Sequence, residues 1–135
     1  MYYYFDTNIC IYLINGRIRE VAEKVIEHDA NEIKIPAIVV AELMHGAEKS
    51  MKKDIALASA ERFLYPYEII PFDENAAAAY GKIKAALERA GTPIGANDLL
   101  IAATVMSRGG VFITHNTREF ARVPGMFLED WTGNG

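Results

Sequence analysis

The chain has 135 residues, of which 51% are apolar, and this fits one domain with a substantial hydrophobic core. Its 18 acidic and 14 basic residues argue against a general basic coat protein of nucleic acid, although they allow an acidic pocket that holds cations. The single cysteine, Cys10, excludes an internal disulfide framework and a cysteine zinc site. With no apolar run of membrane-span length and no secretion signal, we expect a cytoplasmic protein.

The amino-terminal half alternates predicted strands with predicted helices. Residues 2–5 are aromatic and lack a helical period, which predicts a short buried strand. The polar run at residues 6–8 then supplies a helix N-cap. The following elements are predicted as a helix at 9–14, an amphipathic helix at 18–28, a strand at 33–35 that ends at Pro36, a helix from Ile38 and a helix at 50–64.

The carboxyl-terminal half continues this alternation. A strand at 67–71 precedes a helix at 73–90, which Gly91 closes. The loop "GTPIGAND" leads to a helix at 99–106 that is apolar on nearly every side and is therefore central. A strand at 111–114, a short helix and a last strand at 126–128 complete the pattern. We expect one domain over residues 1–135 with an α/β fold, in which helices cover both faces of a largely parallel sheet.

Polar side chains interrupt apolar segments at a few positions. Asp6 follows the first predicted strand, Glu42 lies within "IVVAELM", and Asp98 opens the apolar helix "LLIAATVM". Asn116 and Glu119 follow the strand "VFIT". Because ligands of open α/β sheets bind outside the carboxyl ends of the strands, we expect these side chains to meet there.

Each of these residues also has a purely structural explanation. Asp6 could cap the helix after it, and Asp98 could interact with a helix dipole at its amino end. Glu42 could point to solvent, Asn116 could be a turn residue, and Glu119 could be a first-turn carboxylate. Taken singly, these explanations are adequate. They do not explain why three carboxylates all interrupt apolar segments at the expected edge of the sheet.

Carboxylates that converge in one pocket repel one another unless some are protonated or a cation is present. Mg²⁺ or Mn²⁺ prefers oxygen ligands of this kind and supports phosphoryl chemistry. Thr7 and Asn8 are placed to orient Asp6 from a second layer of contacts. The three histidines lack a metal-binding spacing, and no phosphate-binding, dinucleotide-binding or esterase motif occurs in the chain.

Four segments in order resemble a known family: "FDTNICIYL", "AIVVAELMHGAEKS", "GTPIGANDLLIAATVMSRG" and "VFITHNTREFARVPGMFLEDW". Together they are similar to the PIN-domain ribonucleases and, within these, to the VapC toxins of bacterial and archaeal toxin–antitoxin pairs. The resemblance covers essentially the whole chain. It implies a single PIN domain, an α/β/α sandwich with a mostly parallel central sheet flanked by helices.

The resemblance also implies the roles of the acids. Asp6 and Asp98 are expected to bind Mg²⁺ directly, while Glu42 and Glu119 act through water and one of them serves as the base. Many PIN domains have a fourth aspartate where this chain has Asn116, and Glu119 could supply that missing charge. Supporting positions are expected at Thr7, Asn8, Thr114 and Asn116.

The implied activity is that of a Mg²⁺-dependent endoribonuclease that inhibits translation. Its expected partners are a cognate antitoxin whose carboxyl-terminal segment fills the groove, a second copy of the chain, and operator DNA only through the antitoxin. Arg118 and Arg122 lie beside the proposed site and are the expected contacts to RNA phosphates. The patterns "GTP-G--D" and "REF-R-PG---EDW" resemble members that cut the anticodon stem-loop of initiator tRNA.

Two other functions remain open at this point. "FDTN" is similar to the start of haloacid-dehalogenase-like phosphohydrolases, with Asp6 as nucleophile, although Asn8 replaces their second aspartate. A non-catalytic PIN-like binding module, in which the acids are vestigial, is the other. A trapped aspartyl-phosphate at Asp6 would favour the first, and absence of divalent-ion binding the second.

Overall fold

The computed structural model describes residues 1–133, in which strands and α-helices alternate along the chain. A short 3₁₀ turn at Ala30–Glu32 precedes the second strand. The elements are β1 Tyr3–Phe5, α1 Thr7–Asn15, α2 Arg19–Ile26, β2 Ile33–Pro36, α3 Ala37–Glu48, α4 Lys53–Leu64, β3 Glu68–Ile70, α5 Glu74–Ala90, α6 Ala96–Arg108, β4 Val111–Ile113, α7 Thr117–Phe120 and β5 Phe127–Glu129.

The strands form one sheet in the order β3-β2-β1-β4-β5, and each neighbouring pair in the described residues is parallel. The predicted α/β/α sandwich is therefore confirmed. The chain passes from the central β1 outward to β2 and β3, and then returns to β4 and β5 on the other side of β1. The strand order reverses between β1 and β4, and such a switch point opens a crevice at the carboxyl ends of the two strands.

The sequences of the central strands and of α6 are uninterrupted apolar runs because these elements form the buried core. Tyr4, Phe5, Phe112 and Ile113 are buried in β1 and β4, because helices cover both faces of a parallel sheet. In α6, residues 101–105 are all buried, as expected of a central helix. The polar side chains that follow β1 and β4 are thus attached to the most tightly packed part of the molecule.

Polar residues begin two of the helices, and a glycine terminates one of them, close to the predicted positions. Asp6 is itself the N-cap of α1, since its Oδ1 accepts a hydrogen bond of 2.8 Å from the Thr7 amide. Asp73 caps α5, and Gly91, with φ of 70°, terminates it as predicted. Cys10 is fully buried in the core, as its apolar surroundings indicate. Within residues 1–133, every helix is too short or too polar to cross a membrane.

Candidate active site

The carboxyl ends of β1 and β4 hold Asp6 in a fixed position. Its carboxylate accepts hydrogen bonds from the Thr114 hydroxyl at 2.7 Å and from the Thr7 amide at 2.8 Å. Burial raises the pKa of Asp6, and these two hydrogen bonds oppose the rise. The charges of Glu42 and Glu119 raise it further. Thr114, predicted as a supporting residue, therefore orients this acid directly.

Glu42 reaches the same crevice from α3, which packs against α1 and α6. The Thr7 hydroxyl donates a hydrogen bond to Glu42 Oε1, and the Asn97 side-chain amide donates one to Oε2 at 3.4 Å. The side chain is partly buried. Glu42 therefore points toward the other acids and contacts both α1 and α6, as expected for a site residue.

Asp98 lies in the first turn of α6, beside the other carboxylates. Burial, followed by the charge of Glu119 and a hydrogen bond to it, raises the pKa of Asp98 to about 7. The charges of Asp6 and Glu42 add to this rise. Since each of these carboxylates acts on Asp98, the structure brings all the predicted acids into one electrostatic neighbourhood.

Glu119 belongs to α7, the short helix that follows β4. Its Oε1 accepts a hydrogen bond of 3.0 Å from the Gly95 amide, and its Oε2 accepts one from the Asn116 side chain. Burial opposes ionisation of Glu119, but the hydrogen bonds from Gly95, Asn116 and Asp98 outweigh burial and lower its pKa. Of these two carboxyl groups, Asp98 therefore holds a proton more readily than Glu119.

The donor set suits a hard divalent cation in its chemistry, because it consists of carboxylate oxygens whose mutual repulsion a cation would relieve. The positions of these side chains fit a cation less well than their chemistry does. Across residues 1–133, the histidine, cysteine, aspartate and glutamate side chains form no group of three placed to hold one ion. Asp98 and Glu119 are instead hydrogen-bonded to each other.

The remaining predicted residues differ in their contacts. Asn8 and Arg118 are exposed, and neither side chain hydrogen-bonds to another described residue. Arg122 donates a hydrogen bond of 2.8 Å from Nη1 to the carbonyl oxygen of Pro93. Asn116 donates from its backbone amide to the Thr114 hydroxyl at 2.9 Å and from its side chain to Glu119. It therefore connects Thr114, which orients Asp6, with Glu119.

Sequence reasoning missed two residues that contact the acids. Asn97 supports Glu42, and Gly95 supports Glu119 through its backbone. Both belong to the loop segment "GTPIGAND" that carries Asp98. An amide next to a candidate metal ligand was an available signal for Asn97. No sequence pattern indicates the role of Gly95, since every residue except proline has a backbone N–H that could donate in this way.

Fold and site together define an α/β protein with an acidic site at the switch point of a parallel sheet. The sequence matches the PIN domain family over residues 3–126, and the chain belongs to this family, among its VapC members. It is 40% identical over 126 residues to the tRNA(fMet)-specific endonuclease VapC of Salmonella typhimurium, covering 93% of this chain and 95% of that protein. It is 39% identical over 132 residues to ribonuclease VapC2 of Rickettsia felis, covering 97% and 98%.

Solved structures agree with this assignment. The VapBC complex of Salmonella typhimurium bound to DNA contains a chain that matches with a TM-score of 0.92 and 39% identity, covering 97% of this chain and 98% of that one. VapBC2 of Rickettsia felis, bound to a promoter fragment, matches with a TM-score of 0.90 and 36% identity, covering 97% and 99%. The family expected from the sequence is confirmed, and the haloacid-dehalogenase alternative has no support.

Proposed function

We propose that this chain is a metal-dependent endoribonuclease that hydrolyses phosphodiester bonds in RNA and serves as the toxin of a toxin–antitoxin pair. The observation that carries the proposal is the convergence of Asp6, Glu42, Asp98 and Glu119 at the switch point of the sheet. The names of the relatives, an endonuclease and a ribonuclease, support the same activity.

The residues divide the work as follows. Asp6 and Asp98 would hold Mg²⁺ or Mn²⁺ directly, and Glu42 and Glu119 would hold it through water. A cation held there would supply Lewis-acid chemistry, which polarises a phosphate and lowers the pKa of a water. Thr114 keeps the Asp6 carboxylate in one orientation, and Asp98 gives up its proton before it can act as a ligand. Glu42 or Glu119 accepts the proton of the attacking water.

The first test is RNA cleavage by purified protein free of antitoxin. We expect cleavage with Mg²⁺ or Mn²⁺, none after chelation with EDTA, and none by Asp6→Ala with either ion. Calorimetry measures ion binding alongside and addresses the non-catalytic module. A folded wild-type protein that cuts no RNA with either ion, or an Asp6→Ala variant that cuts normally, would contradict the proposal.

The proposed substrate is initiator tRNA, cut in its anticodon stem-loop, with inhibition of translation as the result. The support is that the Salmonella typhimurium and Shigella flexneri relatives are named tRNA(fMet)-specific endonucleases, at 40% and 39% identity. Sequencing of RNA ends after brief expression, with Asp98→Asn as the inactive control, locates the cut. Ends that map instead to ribosomal RNA or to other tRNAs would leave the nuclease assignment intact and refute this substrate.

The proposed inhibitor is a cognate antitoxin whose carboxyl-terminal segment lies in a groove beside Glu42. The groove has a volume of about 470 Å³ and runs between α1, α3 and α4, with apolar walls that include Ile11, Leu43 and Ile55. Complexes of related toxins with antitoxins have been solved with DNA, which supports operator binding through the antitoxin. We also propose a homodimer, which light scattering of the isolated toxin measures.

The groove offers a matched pair of variants. Ile55 is 66% exposed and lines the groove, whereas Ile26 is 82% exposed at the end of α2 and lies outside it. Ile55→Asp should weaken binding of the antitoxin encoded beside the toxin, while Ile26→Asp should leave the affinity unchanged. Equal affinities for the two variants would place the antitoxin elsewhere.

A further inference from the structure

The loop at residues 92–95 connects α5 to α6 and leads directly into the turn that carries Asp98. At one end of the loop the Thr92 amide donates to the Leu87 carbonyl of α5 at 3.0 Å, and at the other end the Leu99 amide of α6 donates to the Gly95 carbonyl at 2.9 Å. Two further bonds reach the loop from the distant segment 119–122. These are the Gly95 amide to Glu119 Oε1 at 3.0 Å and Arg122 Nη1 to the Pro93 carbonyl at 2.8 Å.

The loop lies against the acids with little room to spare. A Cβ atom placed on Gly95 would stand 3.3 Å from Asp98 Oδ2 and 3.9 Å from Glu119 Oε1. The first distance is shorter than an ordinary van der Waals contact. A side chain at position 95 would therefore press on Asp98, and the Gly95 amide itself holds Glu119.

Arg118 and Arg122, the two arginines near this segment, differ in their side-chain hydrogen bonds. Arg118 is exposed, and its side chain makes no hydrogen bond or ion pair with any other residue of the described chain. Arg122 is bonded to Pro93, and its charge also helps to lower the pKa of Glu119. Both side chains are exposed, but Arg122 Nη1 is held by the Pro93 carbonyl, whereas the guanidinium of Arg118 can turn toward a ligand.

We propose that Arg122 is a positioning residue, which holds Pro93 and thereby sets the place of Gly95 and of the Asp98 and Glu119 carboxylates beside it. This inference rests on the proposed ribonuclease function and changes one part of it. Both arginines were expected to contact RNA phosphates, and the geometry assigns that role to Arg118 alone. Residues that orient the ligands of a metal site typically contribute roughly 10- to 100-fold to affinity or activity.

The kinetic test compares Arg122→Gln with Arg118→Gln, which remove the same charge four positions apart. Arg122→Gln should lower kcat by roughly 10- to 100-fold and leave the salt dependence of KM as in the wild type. Arg118→Gln should raise KM and reduce the slope of log affinity against log salt by about 0.7, as expected for one lost phosphate contact on single-stranded RNA. Arg122→Lys, which can still donate to Pro93, should recover part of kcat.

A second readout does not depend on RNA cleavage. Hydrogen–deuterium exchange of the peptide covering residues 93–99 reports the Gly95 and Leu99 amides, both of which are hydrogen-bonded. Arg122→Gln should speed exchange in this peptide in metal-free protein, while Arg118→Gln should not. If Arg122→Gln fails to fold, Arg122→Lys takes its place, with a smaller increase expected.

The experiments test the positioning role of Arg122 separately from the ribonuclease activity. A wild-type protein that cuts no RNA refutes the ribonuclease proposal, whereas unchanged exchange at 93–99 in Arg122→Gln refutes the positioning role. Active wild-type protein combined with a raised KM, an unchanged kcat and a reduced salt slope in Arg122→Gln would make Arg122 a phosphate contact and overturn the inference.

Discussion

Two charged regions lie on the same sheet and differ in how their charges are matched. In a crevice beside β2 and β3, Lys34 Nζ lies 2.7 Å from Glu68 Oε1, and a hydrogen bond from Lys34 together with its charge lowers the pKa of Glu68. At the ends of β1 and β4, burial and neighbouring acids raise the pKa of Asp98 to about 7. The paired charges of Lys34 and Glu68 stabilise each other, whereas crowded carboxylates repel one another unless some are protonated or a cation is bound.

The largest expected effect comes from Asp98→Asn, which removes a proposed direct ligand with almost no change in shape. We expect RNA cleavage to fall on the order of a thousandfold, because several kcal/mol of transition-state stabilisation are lost. The measurement is the initial rate on a fixed RNA with saturating Mg²⁺. Cleavage within a few-fold of the wild type, with the fold intact by circular dichroism, would remove Asp98 from the mechanism.

A smaller loss is expected for Gly95→Ala, which tests the space around the acids. Gly95 has φ of −58°, so alanine fits the backbone, but its methyl group would crowd Asp98 Oδ2. We expect kcat to fall by roughly 10- to 100-fold while the thermal midpoint changes little. Gly46→Ala is the matched control, since a Cβ there meets nothing within 4 Å. Equal rates for the two variants would show that crowding at Asp98 is harmless.

Without metal, the thermal stability of the protein should rise moderately as the pH falls. The pKa of Asp98 in the folded state is raised to about 7 from an ordinary value of 3.8, so its contribution is fully present below 3.8 and is lost as pH rises through about 7. Metal-free protein should therefore gain thermal stability from about pH 8 to about pH 5. Asp98→Asn should flatten this slope, and an equally steep slope in the variant would assign the effect to another group.

The smallest effect is expected where the charges are matched. Lys34→Met removes the cation of the pair with Glu68, which lies on the exposed side of the crevice. We expect unchanged RNA cleavage and a thermal midpoint close to that of the wild type, because Glu68 is exposed and can be solvated without Lys34, while methionine fills the space of the lysine stem. A loss of cleavage as large as that of Asp98→Asn would mean that both charged regions take part in function.

Local patterns predicted most elements, and their errors have local physical causes. The helix predicted from residue 50 begins at Lys53, because the Ser50 hydroxyl accepts a hydrogen bond from the Lys52 amide and forms a turn there. The helix predicted from residue 99 begins at Ala96, since the Gly95 carbonyl already accepts from the Leu99 amide. Asn97 and Asp98 are polar, so the apolar pattern did not reveal this first turn. Asp98 lies in that turn, in agreement with the expectation that it opens the helix.

The sequence by itself identified the acids that the structure brings together, because a carboxylate within an apolar run must find a partner or a role. It also predicted the parallel α/β architecture from the alternation of strands and helices. Only the tertiary structure decided that residues from β1, α3, α6 and α7 meet at one switch point, since residue spacing reports periodicity and not strand order. The Gly95–Glu119 and Arg122–Pro93 bonds likewise join positions 24 and 29 residues apart. Packing alone brings such positions into contact.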